Sequence, residues 1–134
     1  MSSADDNSDF SDAFCDFLQH SVPTVNAAEL LLLLFNDTER ARSARELAAQ
    51  LEPLASLSAP EIDKHLDLFQ QRGLVVRLDD ARAQFRPASA DLEAHVRTLA
   101  RLYNERPVTL IRVIYALRDT KIKTFADAFK IRRG

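Results

Sequence analysis

The chain of 134 residues has one cysteine, two glycines and no tryptophan. Cys15 cannot form an internal disulfide, so a reducing cytoplasm is the natural setting. Glycine stands only at positions 73 and 134, which excludes a phosphate-cradling P-loop or a Rossmann turn. So little glycine beside so much leucine and alanine points to a mainly helical protein rather than a sandwich or barrel. The longest apolar run, Leu30 to Phe35, falls far short of the roughly 20 residues of a membrane span, so no membrane contact is expected. The start, Met1 to Asp9, is polar and acidic, the opposite of a signal peptide.

Catalytic constellations are also missing. His20, His65 and His95 are far apart, and none has a second His or Cys at ligand spacing, so neither a metal nor a cofactor is expected. No nucleophile–base pair or paired catalytic carboxylate can be assembled, which argues against an enzyme. Cys15, beside Phe14 and Phe17, reads as a small buried thiol. Apolar residues make up 46% of the chain, enough for one ordinary domain with a real core.

Charge is unevenly spread. Residues 1–100 carry 9 Lys/Arg and 17 Asp/Glu, whereas residues 101–134 carry 9 and 3. A basic end of this kind can contact phosphates, an acidic partner, or the acidic part of its own chain.

Along the chain, residues 1–8 read as a disordered acidic tail and 9–23 as an N-terminal helix. Its stripe is Phe10, Phe14, Phe17 and Leu18, and Pro23 stops it. Thr24 opens a second helix through Asn36. Ser43-Ala-Arg-Glu46 and Ser58-Ala-Pro-Glu61 are capping boxes, in which the serine oxygen takes an orphan amide and the glutamate reaches back to the cap N–H. The first starts a short helix that closes before Pro53. The second starts a helix to about Arg72, with Gly73 as its C′ residue. Leu74 to Leu78 then alternate as a strand, residues 79–82 turn, and Ala83 to Arg86 return. Ser89 caps a further helix, Pro107 permits another, and Thr124 resembles the cap of a last short one bearing Phe125 and Phe129.

Helix, helix, two capped helices, Gly-Leu-Val, strand, turn and strand make the layout of a winged helix-turn-helix. Ser43 to Leu51, Ser58 to Phe69 and Arg72-Gly73-Leu74-Val75 resemble that domain as found in bacterial transcription regulators of the MarR and ArsR kinds. The resemblance covers residues 24–87, and residues 88–134 look like the helical extension of uncharacterised bacterial winged-helix proteins. The fold class it implies is mainly α with a small β-hairpin, a winged helix-turn-helix plus N- and C-terminal helices.

The resemblance further implies a DNA-binding transcription regulator. Its second capped helix enters the major groove and its hairpin lies near the backbone. Ser58, Ala59, Lys64 and His65 would then face bases, and Arg77, Arg82 and Arg86 would line the wing. Arg40, Arg42 and Arg45 would hold phosphate near the start of the first capped helix. Residues 59–71 depart from this pattern: Glu61, Asp63 and Asp67 outweigh Lys64, and carboxylates repel phosphate. The alternative is therefore a protein–protein interaction module whose acidic helix meets a basic partner without touching DNA. Phe10, Phe14 and Phe17, with Leu99, Tyr103, Ile111, Ile114 and Tyr115, exceed what a small winged core covers. The similarity thus implies a homodimer through the terminal helices.

Overall fold

A computed structural model describes residues 9–52, 57–79 and 81–118 of the chain. Among them are six helices and one two-stranded antiparallel sheet: α1 (Asp12–Ser21), α2 (Val25–Phe35), α3 (Ala44–Leu51), α4 (Ala59–Gln71), β1 (Val75–Arg77), β2 (Ala83–Phe85), α5 (Ala90–Glu105) and α6 (Pro107–Leu117). The protein is thus mainly helical with a small hairpin. The acidic tail, the turn residue Asp80 and the helix expected from Thr124 lie outside the described residues.

The chain divides into two compact units, one of which is Asn26–Val96. Here the capping boxes form as the spacing predicts: Ser43 Oγ accepts from the Glu46 N–H and the Glu46 carboxylate accepts from the Ser43 N–H. Ser58 and Glu61 repeat the exchange at the start of α4. Replacing such a cap by alanine costs a helix about 1 kcal/mol. At the other end of α4, Gly73 takes φ +77°. Its N–H donates to Gln70 O and the Leu74 N–H donates to Phe69 O, the two bonds of a Schellman turn. A methyl group at Gly73 would meet Ala88 Cβ at 3.2 Å, so both backbone hand and space select glycine.

The turn feeds directly into β1, which pairs with β2 in the register Val75–Phe85, Val76–Gln84 and Arg77–Ala83. Arg42 extends the sheet by an isolated bridge, its N–H donating to Ala83 O and its carbonyl accepting from the Ala83 N–H. Val75 is buried whereas Val76 is half-buried, so Arg77 shares the side of the pleat occupied by Val75. Leu30, Leu31, Leu34, Leu47, Ile62, Leu66 and Phe69 are fully buried, and Phe35 meets Phe85 edge to face at 5.4 Å.

Residues 9–25 and 97–118 are the described part of the other unit. Ser11, not anticipated as a cap, accepts from the Phe14 N–H and starts α1. Gln19 Nε2 donates to Leu117 O, joining α1 to the end of α6. The Asp9 carboxylate accepts from Arg101 Nη2 at 2.8 Å and Arg106 Nη1 at 3.2 Å, while Arg106 lies over the Phe10 ring. Phe10, Phe14, Phe17, Cys15, Leu99 and Ile114 are all buried within the single chain. This corrects the premise of the dimer expectation at those residues, because their apolar area is already covered without a second copy. Among the described residues the exposed large hydrophobics are Val108 and Tyr115, on α6.

Candidate functional site

The face built by the start of α3, the solvent side of α4 and the hairpin gathers most of the charged residues singled out from the sequence. Arg42 does not belong to it. Its side chain is 2% exposed, with Nη1 donating to Gln50 Oε1 at 3.0 Å and Nη2 to Leu33 O at 3.1 Å and Asp37 O at 3.5 Å. The Asp37 N–H bonds Leu34 O, so the Leu33 carbonyl has lost its usual helical donor to the end of α2. A distant arginine supplies it instead. Burial pulls the Arg42 guanidinium below its ordinary range, and the Asp37 charge opposes this. The expected phosphate contact is a buried strut.

Arg77 departs from the expectation in a second way. Its Nη2 lies 3.0 Å from Asp63 Oδ1 and its Nη1 lies 3.0 Å from Asp67 Oδ1. Nε and Nη2 also donate to Ala81 O at 3.0 and 2.7 Å. Ala81 stands at the hairpin turn with φ +69°, the left-handed region that alanine rarely adopts. One guanidinium therefore joins two carboxylates a helical turn apart on α4 to the apex of the hairpin, and its side chain is 13% exposed. As a wing contact to phosphate, Arg77 is corrected by this arrangement: its donors are directed inward to α4 and the turn.

Arg40, Arg45, Lys64, Arg82 and Arg86 are exposed. Arg40 Nη2 comes within 3.9 Å of the Glu46 carboxylate. The Ser43 N–H, then the Ser43 hydroxyl, hold the Glu46 carboxyl below its usual range, and the charges of Arg40 and Arg82 add to this. Two arginines, one before α3 and one in the hairpin, thus flank a single glutamate. The Arg42–Ala83 bridge makes that proximity, and it links residues too distant in sequence for local pattern to reveal.

At the start of α4, Ser58 Oγ is occupied by the cap and Ala59 is half-buried. The Ser58 N–H keeps the Glu61 carboxyl below its usual range. His65 is half-buried with its ring stacked on Phe69 at 6.4 Å between centroids. Burial pushes its pKa down, against the nearby Glu61 charge. Of the four residues expected at base edges, Lys64 alone is an exposed long side chain.

Comparison of the chain with models of known families, with curated proteins and with solved structures finds no match. Among the described residues no group of three His, Cys, Asp or Glu is placed to hold a metal, and no helix is long and apolar enough to cross a membrane. A cavity of about 750 Å³ lies in the unit of residues 9–25 and 97–118, with Asp16, His20, Ile114 and Arg118 in its lining.

Proposed function

We propose that the chain is a winged helix-turn-helix protein that binds duplex DNA and regulates transcription. The observation that carries this reading is the bridge between Arg42 and Ala83, which sets the Arg82 side of the hairpin beside the start of α3, where Arg40 and Arg45 stand exposed. Helix pair, Schellman turn and hairpin follow one another as in a module that lays one helix in a groove and a β-loop against the neighbouring backbone. Phosphate would be held by Arg40, Arg45, Arg82 and Arg86, with Lys64 reaching from α4. Arg42 and Arg77 leave the contact set.

Anisotropy titrations with labelled mixed-sequence duplex, repeated over a salt series, test the reading. Neutralising about four phosphates would make the logarithm of affinity fall with the logarithm of salt at a slope near −3.6. Arg82→Ala with Arg86→Ala would weaken binding on all sequences alike and flatten that slope by about 2. Absence of binding at low salt would retire the reading. A basic protein partner would then take its place, because Glu61, Asp63 and Asp67 all project carboxylates from α4, and Asp63 and Asp67 are 50% and 66% exposed.

A further inference from the structure

We infer that Arg77 is a positioning residue for nucleic-acid binding, the built-in counterion that allows an acidic α4 to approach a polyanion. This inference rests on the duplex reading above. Residues 59–71 carry Glu61, Asp63 and Asp67 against Lys64, so an unassisted α4 would meet phosphate with like charge. Asp63 and Asp67 each give one oxygen to Arg77 at 3.0 Å. The arginine sits beneath them, far less exposed than either carboxylate. Its fork is planar and carries five donors, which suits it to two carboxylates at once in a way that lysine's single ammonium does not.

The same guanidinium takes Ala81 O with two of its donors, so the charge pairing and the attitude of the hairpin tip are set by one group. β1 is short, and Val75 anchors it in the core. Two residues on, the pleat returns Arg77 to the side Val75 occupies, toward α4. A phosphate recruiting this guanidinium would have to compete with both aspartates. The arrangement therefore separates two tasks that the sequence alone assigns to one set of arginines: Arg82 and Arg86 face solvent, and Arg77 neutralises the helix.

A mutant cycle in the full chain separates the possible roles, with thermal unfolding confirming that each variant is folded. Arg77→Met keeps the apolar stem of the side chain and removes its charge; duplex affinity should fall about tenfold. Adding Asp63→Asn and Asp67→Asn to Arg77→Met should restore affinity to the wild-type level or above, because the carboxylates that Arg77 offsets are then gone. Arg77→Lys, which keeps the charge but not the fork, should fall between wild type and Arg77→Met.

A salt slope flattened by about 1 in Arg77→Met would show that Arg77 touches phosphate itself. A triple variant no better than Arg77→Met alone would reduce it to a structural clip. Either result overturns the inference while leaving the duplex reading intact. A wild-type chain that does not bind duplex at low salt ends both.

Discussion

Replacing Arg42 by methionine tests the strut that the structure puts in place of an expected phosphate contact. Methionine keeps the apolar stem but ends near where Nε stands, so the change removes the guanidinium with its charge and its hydrogen bonds. Three acceptors lose a donor. The Gln50 amide is exposed and can turn to water, and the 3.5 Å contact to Asp37 O is long. The Leu33 carbonyl carries most of the penalty, because α2 offers it no replacement. Leaving this part-buried carbonyl without its donor costs about 1–3 kcal/mol, and losing the Gln50 bond adds about 1 kcal/mol. The opposing term is relief of a guanidinium held out of water with no ion pair among the described residues and with Nε unsatisfied. The net expectation is a destabilisation of about 2–3 kcal/mol, read in chemical denaturation as a lower midpoint at unchanged slope. Duplex affinity of the folded variant should match wild type, since the side chain does not reach the surface. A variant as stable as wild type would show that desolvation outweighs the bonds; a folded variant with weakened binding would restore Arg42 to the interface.

Asp9 sets an acid limit on the unit that contains α1 and α6. Its carboxyl is held below its usual range chiefly by the hydrogen bond from Arg101, so its contribution is complete above the unfolded pKa of about 4 and is lost as pH falls through the lower folded value. Asp9→Asn should lower stability at neutral pH by about 0.5–1 kcal/mol, with the two melting curves converging in acid; a constant gap across the range would refute the linkage. His65 is depressed by burial, so stability should decline as pH drops below about 6.5, and His65→Gln should flatten that decline. Ala81→Gly should raise stability by about 0.5–1 kcal/mol by relieving a left-handed alanine, unless freer motion at the turn loosens the Arg77 bonds, which a fall in melting temperature would reveal. Light scattering at tens of micromolar tests the two-fold part of the proposal. A dimer mass would implicate Val108 and Tyr115 and should be split by Tyr115→Glu, whereas a monomer mass removes that part.

What could be read without coordinates was the local grammar. Both capping boxes, the Ser89 cap and Gly73 announce themselves within four residues of the bonds they make, and those bonds form. Long-range pairing was not readable in this way. Arg42 finds its acceptors on α2 and α3, and Arg77 finds its carboxylates 10 and 14 residues back. An arginine two positions after a buried valine in a three-residue strand carries a signal, because the pleat returns it to the same side. The phenylalanines of α1 were recognised as an apolar stripe, but a stripe does not say whether the chain or a neighbour covers it.

The turn at Gly73 has a bearing on how this molecule could diversify. The hairpin's near end is committed twice, by a backbone hand that side chains resist and by the closeness of Ala88. Its far end is held by hydrogen bonds alone, from the Leu78 and Ala81 N–H groups to Arg82 O and Leu78 O and from the Arg77 guanidinium to Ala81 O. Lineages that lengthen, shorten or recharge the loop would therefore accumulate change around residues 79–82, leaving the hinge of the hairpin as the invariant point about which new binding preferences are tried.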